Sequence, residues 1–207
     1  MGDGRESFRV VNQISNSMLE NYHIILASNS PRRRQLLSGL DLDFEVKVLP
    51  DIEENYPDYL ETQDIPVYIA TEKAAAYQDL MAEHDLIITA DTVVVLGDEV
   101  LGKPVDAEDA KRMLRALSGK THQVITGVCL MTRQRQRSFA VTTDVTFKEL
   151  TEEEITYYVE KYQPLDKAGA YGIQEWIGYI GVTSLNGSYF NVMGLPVQRI
   201  YNELKVF

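Results

Sequence analysis

Ile24-Ile25-Leu26-Ala27-Ser28-Asn29-Ser30-Pro31-Arg32-Arg33-Arg34-Gln35-Leu36-Leu37 decides how the rest of the chain is read. It opens as a short apolar run suited to a buried strand. Ser30 then reads as a helix N-cap and Pro31 as the first helical residue, where a missing N–H costs nothing. Leu36, Leu37 and Leu40 continue as an apolar stripe at helical spacing. The first turn of that helix carries three arginines. A helix start is already partially positive, so each cation there is unfavourable by roughly a few tenths of a kcal/mol. Free backbone N–H groups and guanidinium groups together suit a bound anion. Without an anion the same residues make a solvated basic turn in an ordinary βα unit.

Working outward, the totals bound the answer. A chain of 207 residues, 44% apolar and 25% charged, builds a substantial core and reads as a soluble globular protein. A net charge of −11 argues against binding to nucleic-acid polymers or anionic membranes, so the arginine cluster is a local exception. Cys129, the single cysteine, excludes an internal disulfide. It fits a reducing compartment, hence the cytoplasm, and its apolar neighbours make it a core thiol. No apolar stretch approaches the roughly 18 residues of a membrane helix, and no signal-peptide segment is visible. Residues 1–21 are polar and aperiodic, so a poorly ordered extension is expected ahead of a single domain over 22–207.

Downstream, Phe44, Val46 and Val48 alternate with charged residues, as a strand with one wet face does. The acidic stretch 51–64 reads as loop, with Glu53-Glu54 either a metal-ligand pair or simply solvated. A helix is predicted over 64–83, with Ile69, Ala70, Ala74, Tyr77 and Met81 facing the core and Lys73 beside them on the surface. Leu86 to Leu96 is long and apolar enough for a central strand, or two nearly continuous ones, interrupted only by Thr89, Asp91 and Thr92. Aspartate is a poor strand former and costly to desolvate, so Asp91 is either placed for chemistry or marks a bulge or turn. Gly97-Asp98 turns the chain into a short return strand. Lys103, between Gly102 and Pro104 at its end, suits a phosphate contact in a cleft.

A helix over 106–117 capped by Asp106 follows, then two strands over 123–131 and 138–149, then a capping box at Thr151-Glu152-Glu153-Glu154 opening a helix to Tyr162. The stretch 164–174 is a long glycine-bearing loop ending on Gln174, a length that suits a ligand-facing role. Trp176 to Val182 reads as a strand, Asn186-Gly187-Ser188 as a turn approaching the ligand, and Leu195-Pro196 as the opening of a last helix.

Leu26-Ala27-Ser28-x-Ser30-Pro31-Arg32-Arg33 resembles the opening motif of the Maf family of nucleotide pyrophosphatases. The resemblance continues through Glu54 and Glu72-Lys73, Ala90-Asp91-Thr92, Gly102-Lys103-Pro104, Leu117-Ser118-Gly119, Thr126-Gly127-Val128 and 166–174, nearly the whole chain after the extension. It implies an α/β fold: a twisted mixed sheet flanked by helices, two lobes around a deep cleft, related to the inosine triphosphate pyrophosphatases. It also implies a hydrolase that cuts a nucleoside triphosphate to monophosphate and pyrophosphate with a divalent metal, Mg²⁺ or Mn²⁺, working as a homodimer. By that resemblance Ser28, Arg32, Arg33, Lys73 and Lys103 contact the triphosphate, and Glu54 and Asp91 hold the metal, with Asp91 also the proton acceptor. Arg32, Thr92 and Gln174 match the branch acting on dTTP and UTP rather than on methylated GTP.

The chemistry agrees: cleavage between the α and β phosphates needs charge neutralisation, an in-line water and a stabilised leaving pyrophosphate. The chain has no G-x-x-x-x-G-K-[ST] loop, so arginines and lysines do this work and a kinase reading fails. The contrasting reading is a nucleotide sensor regulating cell division without turnover, which would not need Asp91.

Overall fold

The computed structural model describes residues 21–50 and 52–207. Apart from Asn21, the extension expected over 1–21 lies outside the described residues. The strands are β1 (His23–Leu26), β2 (Glu45–Val46), β3 (Asp85–Leu96), β4 (Glu99–Leu101), β5 (Thr121–Met131), β6 (Gln136–Phe147) and β7 (Val182–Asn186). The helices are α1 (Pro31–Ser38), α2 (Ile65–Ala75), α3 (Ala107–Leu117), α4 (Glu152–Tyr162), α5 (Trp176–Gly181), α6 (Tyr189–Met193) and α7 (Val197–Leu204).

One mixed sheet runs β2-β1-β3-β5-β6-β7, parallel through β1 and antiparallel from β3 onward, with β4 also pairing β3. The long β3 is its spine. On one edge its beginning pairs with β1, ending at Leu26↔Ile88, and its end pairs with β4, starting at Val94↔Leu101. Between them residues 89–93 carry no strand on that edge among the described residues. Asp91 stands in the middle of this gap. Strand ends that part in this way are where open α/β sheets bind ligands.

The two faces of β3 follow from period 2. Ile87, Val93 and Val95 pack under α2, which contributes Ile65, Ile69, Ala70 and Ala74. On the other face Leu86, Ile88 and Ala90 pack against α1 and α7, and Val94 packs against α3 and α4. The helix α2 reaches the sheet because of Gly127, the register partner of Asp91. A Cβ there would stand 2.2 Å from the Pro66 carbonyl carbon, so only glycine admits this approach. Thr89 completes the contact by donating to the Ala70 carbonyl at 2.6 Å.

Local cap signals held at three predicted helix starts, whereas Asp64, ahead of α2, makes no side-chain cap bond. Ser30 accepts from Arg33 N, Asp106 from Asp109 N, and Thr151 with Glu154 forms the full capping box. Three expectations change. The predicted strand at Trp176–Val182 is the helix α5 followed by β7: Ile177 is fully buried and Tyr179 is 82% exposed, which a strand, setting i and i+2 on one face, cannot do. The helix predicted over 64–83 ends at Ala75 and resumes as a 3₁₀ turn at Gln78–Leu80. There the buried Tyr77 hydroxyl accepts from Leu49 N and donates to the Lys47 carbonyl, so its side chain serves the 47–50 segment. Around Phe44–Val48 only Glu45–Val46 pairs, and Val48 turns to line the cleft.

Candidate active site

The gap in the sheet edge opens into a cleft of about 520 Å³. Every predicted site residue lines it: Ser28, Arg32, Arg33, Glu54, Lys73, Asp91, Thr92, Lys103 and Gln174. Arg32 and Asp91 therefore share one cavity. The Asn186-Gly187-Ser188 turn does not line it; Val192, Met193 and Gly194, just after, do. Ser188 instead caps α6 by accepting from Asn191 N.

Asp91 is an uninterrupted strand residue rather than a bulge, paired opposite Gly127. Period 2 turns its side chain to the α2 face, where Lys73 waits. The Lys73 ammonium lies 2.7 Å from Glu54 Oε1 and 3.4 Å from Asp91 Oδ1. Its side chain is only 14% exposed, so the surface reading of Lys73 is overturned. The Asp91 carboxyl is equally enclosed, at 12%. One ammonium thus sits between two carboxylates, and their environments push them apart. Burial raises the Asp91 pKa above the ordinary aspartate value; Lys73 and Arg33 oppose that shift without cancelling it, and the charge of Glu54 adds to it. Burial also works against a charged Glu54, but hydrogen bonding and charge from Lys73, aided by Lys103 and Arg33, hold it below its ordinary value. A carboxyl with a raised pKa beside an ionised one is an arrangement suited to proton transfer.

Arg33 closes the gap in the sheet edge. Its guanidinium donates to the Ala90 carbonyl at 3.1 Å, to Thr92 Oγ1 at 3.1 Å and, through Nε, to the Gly194 carbonyl at 2.8 Å. It therefore grips β3 on both sides of Asp91. Burial, the largest influence, lowers its pKa against the support of Asp91, though a guanidinium stays charged at neutral pH. Of its five N–H groups, three are engaged in this way, which leaves two for an anion in the cleft. Thr92 lies on the opposite face from Asp91. Its hydroxyl is shared with Arg33 and, at 2.9 Å, with its register partner Thr126. Thr126 in turn reaches the Asn191 carbonyl, and Asn191 Nδ2 donates to the Val124 and Val141 carbonyls and Thr143 Oγ1. This polar seam separates the two apolar clusters on that face and ties α6 to the sheet.

The rest of the wall is carried on loops. Lys103 faces the cleft and is exposed, and Arg32 Nη1 lies 3.7 Å from Asp166 Oδ2. Gln174 Oε1 is buried at the wall with no hydrogen-bond partner among the described residues, as are His122 Nδ1 and Asn191 Oδ1 nearby; of the three residues, Gln174 lines the cleft. Behind it Tyr171 is held by His122, Nε2 to Oη at 2.5 Å, and burial keeps that imidazole neutral, with its pKa lowered to about 4.

Sequence reasoning missed Thr126, Asn191 and Lys167. Thr126, quoted above only within its motif, acts through the Thr92 hydroxyl and the Asn191 carbonyl, and Asn191 acts by bonding main-chain carbonyls of two strands, for which no local signal exists. Lys167 had one, its place in the Asp166-Lys167-Ala168-Gly169 run. For a metal, no group of three or more His, Cys, Asp or Glu side chains converges among the described residues. Glu54 and Asp91 do converge, on Lys73. Two hard oxygen donors in a cleft also lined by arginines and lysines fit Mg²⁺ or Mn²⁺, which takes one or two carboxylates and completes its shell with other oxygens such as water.

Comparison with known proteins agrees with this geometry. The family model described as Maf-like protein matches residues 23–207. A dTTP/UTP pyrophosphatase of Phocaeicola vulgatus is 66% identical, covering 90% of this chain and 97% of the relative. Those of Bacteroides fragilis and Porphyromonas gingivalis are 61% and 56% identical, covering 90% and 91% of this chain and 97% and 96% of the relatives. Among solved structures, a dITP/XTP pyrophosphatase from Mycobacterium abscessus is similar at a TM-score of 0.37 with 14% identity, over 87% of this chain and 93% of that one, a likeness too slight to bear on the site. With its opening motif at the sheet gap and residues 23–207 matched, this chain belongs to the Maf family.

Proposed function

We propose that the protein is a nucleoside triphosphate pyrophosphatase acting on dTTP and UTP, releasing pyrophosphate and the monophosphate. The observation that carries the proposal is the Glu54–Lys73–Asp91 constellation, one ammonium between a depressed and a raised carboxylate, facing Arg32, Arg33 and Lys103 across one cleft. In this reading a water attacks the α-phosphorus, Asp91 takes the proton it loses, and the bond to the bridging oxygen breaks toward pyrophosphate. Lys73 and Glu54 hold Asp91 in place, while Arg32 and Lys103 receive the charge that develops on the leaving group. Glu54 and Asp91 are the residues that would hold Mg²⁺ or Mn²⁺, which when bound neutralises phosphate charge.

The base reading rests on Gln174. Its unpartnered Oε1 is an acceptor, and its amide also carries donors. Uracil and thymine present a ring N–H flanked by carbonyls, the complement of an amide; cytosine presents an acceptor at that ring nitrogen. The relatives named dTTP/UTP pyrophosphatase support the same choice. The deciding experiment is a panel of nucleoside triphosphates with Mg²⁺ or Mn²⁺, read for pyrophosphate. Fastest release from dTTP and UTP is the expected outcome. Binding without any pyrophosphate release would leave the sensor reading in its place.

A further inference from the structure

We propose that Lys167, to which neither the opening motif nor the Asp91 centre assigns a role, is a substrate-binding residue that contacts the polyphosphate from the loop between α4 and α5. The inference rests on the pyrophosphatase reading and deepens it. Lys167 lines the cleft, and its side chain is only 12% exposed. An ammonium so enclosed is costly unless it is met by anions, and the chain supplies two. Its Nζ lies 3.0 Å from Asp166 Oδ1 and 3.4 Å from Glu175 Oε1.

Glu175 is itself aimed. Its Oε1 accepts from the Tyr158 hydroxyl at 3.0 Å, and the same hydroxyl accepts from Gly172 N at 3.1 Å. Tyr158 is fully buried on α4. Gly172 leaves room for the pair: a Cβ there would stand 2.6 Å from Glu175 Oε1 and 3.0 Å from Lys167 Cε. Three segments of chain thus converge to point one lysine into the cleft, and Tyr158 and Glu175 are positioning residues for it. An ammonium has three donors; two anions leave one for a ligand.

Asp166 links this lysine to the arginine helix. Its carboxylate is 68% exposed, and while Oδ1 meets Lys167, Oδ2 lies 3.7 Å from Arg32 Nη1. One carboxylate therefore spans two cations carried by different parts of the chain, α1 and the 163–175 loop. A phosphate group, with more charge and more acceptor oxygens, satisfies both cations better than an exposed carboxylate does.

The test compares the wild-type protein with Lys167→Met, Lys167→Arg and the double variant Lys167→Met/Glu175→Gln. Pyrophosphate release from dTTP gives KM and kcat, and calorimetric titration with inorganic pyrophosphate gives binding. Lys167→Met should raise KM and weaken pyrophosphate binding about tenfold or more, the scale of one charge-assisted hydrogen bond, and Lys167→Arg should recover most of it. Lys167→Met also strands Glu175 without a cation. The double variant removes that burden, so it should stay as weak as the single one if Lys167 touches phosphate. Wild-type KM and binding in Lys167→Met, or recovery of both in the double variant, would overturn the inference. If the wild-type protein released no pyrophosphate from any triphosphate, the pyrophosphatase reading would fall on its own, and the calorimetric comparison would still judge Lys167.

Discussion

The cleft has two kinds of wall. Its centre is carried on the sheet: Asp91 and Thr92 on β3, Thr126 on β5, with Arg33 bonded to β3 on both sides of Asp91. Its rim is carried on loops: Glu54, Lys103, Lys167 and Gln174 each lie outside a strand or α-helix, and Glu54 is 47% exposed. At the centre, Arg33, Thr92 and Thr126 are tied to one another and to main-chain carbonyls. On the rim, Glu54 and Lys167 are held by one or two side-chain ion pairs each, and Glu54 and Lys103 are open to solvent. Proton transfer demands geometry held to a fraction of an ångström, whereas holding a flexible polyphosphate demands charge, which tolerates looser placement. Variants of the centre should therefore damage turnover, and variants of the rim should damage binding.

The sharpest test is Asp91→Asn. Turnover should fall by about 10² to 10⁴, the usual worth of a positioned base. The same substitution should raise the melting temperature by about 2–4 °C, the equivalent of roughly 1 kcal/mol for a chain of this size. The sign follows from linkage. A carboxyl whose pKa is raised on folding binds protons more tightly in the folded state, so its ionisation costs stability as pH rises through that raised value. Paired pyrophosphate assays and thermal melts check both halves; a melt that drops would break the picture of a strained, functional carboxylate.

Arg33→Met comes next. It leaves the Ala90 and Gly194 carbonyls without their donor, at about 1–3 kcal/mol for each buried group, and frees the Thr92 hydroxyl. A loss of about ten- to a hundredfold in kcat together with a lower melting temperature is expected. An effect on KM alone would mean that Arg33 belongs to the rim. A pH profile refines the same centre: activity should decline on the acid side through a pKa above that of an ordinary aspartate. In Lys73→Met the limb should move to higher pH, because the main influence lowering the Asp91 pKa is gone.

Rim variants should be milder. Lys103→Ala should raise KM about three- to tenfold, with little change in kcat or stability, and the effect should shrink as salt screens the exposed ammonium. The smallest effect is a ratio: Gln174→Leu should narrow the preference for dTTP over CTP or 7-methyl-GTP by about tenfold, since one base contact is worth about 1–3 kcal/mol.

Much of this contrast was legible in the residues. Ser30 and Pro31 announced the start of α1, Asp106 and Thr151 announced two more helices, and an aspartate inside an apolar strand announced the centre. What misled was the run Trp176–Val182, short and apolar, for which strand and helix patterns coincide until burial separates them. Lys73 was hidden for a related reason. A lysine beside an apolar helical stripe looks like surface unless one knows that the strand beneath carries Asp91 and that Gly127 lets the helix descend onto it.

Local chemistry, then, already determined the caps, the strand spine and the set of charged residues that belong together, because those signals depend on neighbours within a few positions. Only the tertiary structure decided which of them meet. The gap at residues 89–93, the ammonium shared by Glu54 and Asp91, and the guanidinium tying Ala90 to Gly194 all join groups far apart in the chain. Their energies depend on burial and register, quantities that no single stretch of sequence contains.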